Sequence, residues 1–309
     1  MCQLSHYTEQ YFLYCEYQKG LNAKTIKAYK IDMQQFFEFL QSNKITNVEK
    51  SVLNAYIKKL HENYSVKTVK RKIASLKAFF NWLEFEEVII ENPFSKIKLK
   101  YQEPFVLPRT IPVYVIEKLI ATAYELRQQA KTEYAIFSTS RDVAVLELLF
   151  ATGMRISEIC NLKIQDVHLQ EEFVLIHGKG NKERVIHISN ADVLNTLRYY
   201  DNFTENFEKR DDYYFLNKNY RRISEQSVRN MIKKYSAYAG ISINITPHMF
   251  RHSFATLLLE EDVDIRYIQH LLGHSSITTT QIYTHIAMGK QKEILHFKHP
   301  RNKMLIESK

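Results

Sequence analysis

The chain has 309 residues, with 43 Lys+Arg against 34 Asp+Glu and a formal net charge of +9, an excess that permits a polyanionic partner such as DNA. At roughly 150 residues per domain the length suggests about two domains; a hydrophobic share of 45% excludes wholesale disorder, and 7 Gly and 6 Pro exclude a collagen-like or low-complexity chain. Three cysteines without a CxxC (Cys2, Cys15 and Cys160) argue against a disulfide framework and fit a reducing cytoplasm, and neither a membrane span nor a signal peptide is expected.

The first hundred residues read as helices, beginning with one over about Leu4 to Tyr17. After Leu21-Asn22-Ala23-Lys24, the residues Ile26, Tyr29, Met33, Phe36, Phe37 and Leu40 recur at spacings of three and four, the stripe of an amphipathic helix. Val52, Tyr56, Ile57 and Leu60 make a second stripe. Val69, Ile73, Leu76, Phe79, Phe80 and Leu83 make a third, so a small bundle is expected. Opposite the stripes lie Lys24, Lys27 and Lys30 on the first run and Lys67, Lys70, Arg71 and Lys77 on the third. Each alone reads as a solvated residue; a DNA-binding face requires the two sets to converge. The pattern stops at Asn92-Pro93, and Pro104, Pro108 and Pro112 then punctuate an extended stretch. The expected organisation is a helical domain over 1–100, a linker over 101–112 and a second domain over 113–309, with the positive excess shared by both parts.

The second part is mixed. Val113 to Arg127 and Arg141 to Ala151 read as helices, the latter stopped by Gly153. Strands are expected over Asp166–Leu169, Glu172–His177 and Arg184–Ser189, the last two flanking a Gly-rich hairpin turn, Gly178 to Lys182. From Ser224 onward the chain returns to helices. The fold class is therefore mainly α with a small antiparallel sheet.

Four segments here do not look like packing material. The first is ATGMRISE, where Arg155 follows a helix stop and Glu158 lies one turn on, close enough to orient its guanidinium. The second is the hairpin tip with Lys179, and Lys182 beside it. The third is TPHMFRH: Thr246 suits an N-cap and Pro247 the first helical position, so His248 and Arg251 share one face of a first turn where an anion is favoured. The fourth runs from LLGH, with His274, to Tyr283. His248/His252 and His270/His274 have metal-pair spacing, but there is no HExxH and no carboxylate in register, so no metal or other cofactor is expected.

In this order the segments resemble the tyrosine recombinase (phage integrase) family, with a layout most like its Xer-type members. The motifs stand here as ATGMRISE, HGKGNKER, TPHMFRHSFAT and LLGHSSITTTQIYTH, and GLNAKTIKAYKIDMQQFFEFL looks like that family's core-binding domain. The resemblance implies a helical, SAM-like core-binding domain followed by a mixed catalytic domain. It implies that Tyr283 attacks a DNA phosphodiester to form a 3′-phosphotyrosyl link. Arg155, Arg251 and His274 would hold the non-bridging oxygens, Lys179 would protonate the leaving 5′-oxygen, His248 would assist at the tyrosine, and Glu158 would support the arginine end. The implied partners are a double-stranded recombination site with inverted half-sites, further copies of the chain in a tetramer joined through a C-terminal helix near 286–297, and a partner recombinase or accessory protein. Two rivals are an inactive DNA-binding homologue and a type IB topoisomerase. The intact residue set argues against the first, and the separate N-terminal bundle and short length against the second.

Overall fold

The computed structural model describes residues 3–97, 109–178, 183–205, 207 and 211–273. It divides into two compact units, Met1–Val106 and Leu107–Lys309. In the first unit a 3-10 turn over Gln3–Tyr7, helix α1 (Thr8–Leu13) and a π-helical turn over Tyr14–Gln18 replace the single opening helix expected from the sequence. Helices α2 (Ala23–Ser42), α3 (Lys50–Asn63) and α4 (Val66–Phe85) follow. Asn22 starts α2, its side-chain oxygen accepting the Thr25 N–H at 2.9 Å. The stripes face inward, with Met33, Phe36, Leu40, Leu76, Phe79 and Leu83 buried and the Phe79 ring edge-on to Tyr11 at 5.2 Å.

One position breaks the apolar pattern. Asp32 on α2 is fully buried, and α4 answers it with three side chains. Arg71 grips both carboxylate oxygens, Lys72 Nζ donates at 2.9 Å and Ser75 Oγ at 3.0 Å. Arg71, a candidate DNA contact, is therefore anchored at its tip to the protein's own carboxylate. Lys24, Lys27, Lys67 and Lys77 are exposed and Lys70 is half-buried.

The second unit contains α5 (Val113–Gln128), α6 (Glu133–Thr152), α7 (Ile156–Asn161), β1 (Val167–His168), β2 (Phe173–His177), β3 (Glu183–His187), α8 (Ala191–Thr204), α9 (Glu225–Tyr238), α10 (Pro247–Glu260) and α11 (Ile265–Leu272). The sheet is antiparallel in the order β1-β2-β3, with Val174 opposite Ile186 and Ile176 opposite Arg184. Every residue from Asp142 to Leu149 is buried, so α6 is the apolar axis on which α5, α8 and α10 pack.

The expected helix at 141–151 starts eight residues earlier. Thr132 caps it at Ala135 N, and the hydroxyls of Ser138, Thr139 and Ser140 bond back to carbonyls one turn behind instead of stopping the helix. Helix α8, capped by Asn190, was absent from the sequence reading; its core positions Val193, Leu194, Leu197 and Tyr200 pack on the α6 core. The first expected strand shrinks to two residues because a 3-10 turn occupies Ile164–Asp166 and a turn begins at Leu169.

Removing the buried carboxylate tests the clamp of the first unit. Asp32→Ala leaves the Lys72 ammonium, 2% exposed, without its counter-charge, although the neutral Gln35 Oε1 still accepts from it. The expected loss is about 3–5 kcal/mol, the usual cost of breaking a buried ion pair. Urea unfolding of the full chain, followed by the fluorescence of its single tryptophan, Trp82 in α4, reads this unit directly. An unchanged midpoint would refute the assignment.

Candidate active site

Helix α6 stops where Gly153 adopts the left-handed conformation (φ 60°, ψ 22°). A Cβ at this position would lie 2.6 Å from Phe254 Cδ1, so both the turn and the packing require glycine. Met154 is buried next, and the chain then presents Arg155 as the N-cap residue of α7. Glu158, one turn into α7, reaches back. Its Oε2 accepts the Arg155 backbone N–H at 2.8 Å, and its Oε1 accepts from Arg155 Nη1 at 2.8 Å. The side chain of Arg155 remains one-third exposed while that of Glu158 is only 5% exposed.

A second arginine shares the same carboxylate. Arg184 Nη1 donates to Glu158 Oε1 at 3.0 Å, Nη2 donates to Oε2 at 2.8 Å, and Nε donates to the Leu271 carbonyl at 2.8 Å. Arg184 lies on β3, the strand that follows the hairpin turn. Burial alternates along that strand, and Arg184 shares the inward face with Ile186.

A third arginine closes the arrangement. Arg251, 4% exposed in the first turn of α10, donates from Nη1 to the Gly153 carbonyl at 2.9 Å and from Nη2 to the Leu272 carbonyl. Gly153 lies two residues before Arg155, and Leu272 lies two residues before His274. Arg251 thus joins two helix stops that lead into candidate residues. The second stop, Gly273, is also left-handed (φ 64°), and a Cβ there would approach Arg184 Nη1 to 3.0 Å.

The electrostatics follow from this packing. Burial by itself pushes the Glu158 carboxyl up, but Arg184 and then Arg155 outweigh it and hold the group below the usual carboxylate range. Burial, with the charges of His248 and Arg251, drives His252 down to about 4, so it is neutral near pH 7. His177 ends β2 opposite Glu183. Its Nε2 lies 3.1 Å from Asp166 Oδ1 and its Nδ1 3.1 Å from Glu183 Oε1; the Asp166 bond pulls its pKa upward, bracing the base of the hairpin.

Of the sequence-derived residues, the structure brings Arg155, Glu158 and Arg251 into one network, with His248 exposed on the first turn of α10. Thr246 occupies the N-cap position, but its side chain makes no capping bond. Lys179, Lys182, His274, Tyr283 and the helix expected near 286–297 lie outside the described residues. Among the described residues there is no cluster of three or more His, Cys, Asp or Glu side chains able to hold a metal, and no helix long and apolar enough to cross a membrane. The sequence reading missed Arg184. Its signal was an arginine in phase with Ile186 on the buried face of an alternating strand, where an apolar side chain is the rule. Two guanidiniums close on one buried carboxylate and a third, that of Arg251, is bound to backbone carbonyls, which leaves an excess of positive charge suited to an anion with several oxygens.

The model of the phage integrase family matches residues 115–290, and that of the phage integrase N-terminal SAM-like domain matches residues 8–87. A tyrosine recombinase from Agathobacter rectalis is 51% identical over 97% of this chain and 98% of its own length. The tyrosine recombinase XerD of Listeria innocua is 35% identical over 92% of this chain and 95% of its own. In fold, the chain resembles the crystal structure of the XerH site-specific recombinase bound to its difH substrate before cleavage, with a TM-score of 0.74, 22% identity, and coverage of 95% of this chain and 85% of that one.

The depressed pKa of Glu158 predicts an acid dependence of stability. Its contribution is fully present above the unfolded value of about 4.3 and is lost as pH falls through the lower native value. The stability difference between the wild type and Glu158→Gln, from urea melts between pH 7 and 3, should therefore be constant near neutrality and shrink only in the most acid samples. A difference that already shrinks between pH 7 and 5 would refute the pairing.

Proposed function

The chain belongs to the phage integrase family, as a Xer-like tyrosine recombinase that breaks and rejoins DNA, and from that premise we propose that it does so through a 3′-phosphotyrosyl intermediate formed by Tyr283. The observation that carries the reading is the network in which Arg155 and Arg251 are held by Glu158 and by the two helix stops, next to the segments that lead to Lys179 and His274.

In this mechanism Arg155, Arg251 and His274 bind the non-bridging oxygens of the scissile phosphate. The pentacoordinate transition state gathers negative charge on those oxygens, and planar guanidiniums match its geometry better than lysines. Tyr283 Oη attacks phosphorus while His248 takes up its proton. The P–Oη bond forms and the P–O5′ bond breaks. Lys179 gives the leaving 5′-oxygen a proton, help worth on the order of 100- to 10,000-fold. The covalent link conserves the bond energy, so a 5′-hydroxyl from another strand can reverse the step without ATP.

The basic residues Lys24, Lys27, Lys67, Lys70, Lys77 and Lys182 are assigned to the DNA backbone. Arg71, already tied to Asp32, would offer a pre-oriented guanidinium on the same helix. The wider assembly, four copies on two sites with inverted half-sites and joined through the C-terminal segment, and a cytoplasmic location belong to the same proposal. So do a companion recombinase or accessory protein, and a role in dimer resolution or in integration and excision of a mobile element.

The test begins with sheared chromosomal DNA of the host. The full-length protein is incubated with it, and the covalently retained fragments are sequenced to find the site. A suicide duplex nicked beside that site should then trap a protein–DNA adduct. Tyr283→Phe should abolish the adduct while keeping DNA affinity within about twofold. An adduct of undiminished yield in that variant would reject the assignment.

A further inference from the structure

We infer that Arg184 is a positioning residue for the cleavage reaction, acting through Glu158 to hold Arg155 toward the scissile phosphate. The inference rests on the recombinase reading above and extends it to a residue outside the proposed catalytic set.

The geometry gives Arg184 three fixed bonds and little freedom. Two go to the oxygens of Glu158 and the third to the Leu271 carbonyl. At 8% exposure the side chain makes these bonds away from water, where a charged hydrogen bond is strongest and a lost one costs most. Glu158 offers the same two oxygens to Arg155, one to its backbone N–H and one to Nη1. The carboxylate is thus divided between two guanidiniums. Arg184 bonds both oxygens and favours the ionised form, and Arg155 is oriented against that fixed surface.

The anchor also spans the chain. Arg184 follows the hairpin turn, Glu158 belongs to the helix capped by Arg155, and Leu271 belongs to the last turn of α11, three residues before His274. One side chain therefore ties together β3, α7 and α11, the elements next in sequence to Lys179, Arg155 and His274. The close approach of Gly273 to the guanidinium means that no larger residue fits at that stop without displacing it.

A purely structural salt bridge would also be buried and well bonded, so the experiment has to separate positioning from folding. Single-turnover cleavage of the suicide duplex is measured for the wild type, Arg184→Met and Arg184→Lys, together with DNA affinity. Each is repeated on a duplex whose scissile phosphate is a methylphosphonate. That group lacks one non-bridging charge, so its cleavage depends less on a well-aimed cation. On the ordinary phosphate, Arg184→Met should cleave about 100-fold more slowly, the usual scale for loss of one oriented donor, with affinity within twofold of wild type. Arg184→Lys keeps one charged bond to Glu158 and loses the fork; it should fold and lie between the two. On the methylphosphonate the gap between wild type and Arg184→Met should narrow at least tenfold, and that of Arg184→Lys should narrow in the same direction. Equal gaps on the two substrates, or wild-type rates in a folded Arg184→Lys, overturn the positioning role while leaving the recombinase reading intact. A wild-type chain that forms no adduct overturns both.

Discussion

The candidate site depends on one buried carboxylate. Glu158 is almost wholly removed from water, which alone would favour its neutral form, yet it is held ionised because Arg184 and Arg155 close on both its oxygens. Without it, Arg184 would be an unpaired charge in the core, and Arg155 would lose both its side-chain brace and the partner of its backbone N–H. A charge pair in such a place is weak evidence for stability, since apolar residues of similar volume often serve as well. Its value here is directional: it fixes where a partly exposed guanidinium points.

The same device recurs at a second level. Arg251 does not join two charged groups but two backbone carbonyls, each at the end of a helix whose last orphan acceptors need a donor. The left-handed glycines at 153 and 273 turn the chain sharply, and the arginine fastens the two turns together. A rigid helix thus delivers Arg155 through a tight turn, so that position inherits the precision of the α6–α10 packing and not the looseness of a long loop. In the first unit, Asp32 repeats between α2 and α4 what Glu158 does in the second: one buried acid gathers two bases.

Much of this was legible in the amino-acid order. The stripes of the first unit have a 3.6-residue period and correctly mark α2, α3 and α4. Gly153 reads as a helix stop and Glu158 as the brace of Arg155, because both are local relations within one turn. The errors are equally physical. The helix expected from Arg141 begins at Glu133, because the hydroxyls of Ser138, Thr139 and Ser140 find carbonyls one turn behind. Helix α8 escaped notice although its apolar face meets the α6 core. The Asp32 cluster was invisible because its partners lie 39 to 43 residues away.

By itself, then, the sequence determined the helical first part, the small hairpin sheet, the ordered set from Arg155 to Tyr283 and the family they indicate, since each rests on spacing within a few residues or on motif order. Tertiary structure alone decided which charges are buried together. Arg184 and Glu158 are separated by 26 residues, and Arg251 and Gly153 by 98. Such pairings arise when packed helices and a strand bring distant polar atoms out of water, where each must find a partner. The opening excess of positive charge gave no hint of this, for a net total carries no information about which arginine is tied to which acid.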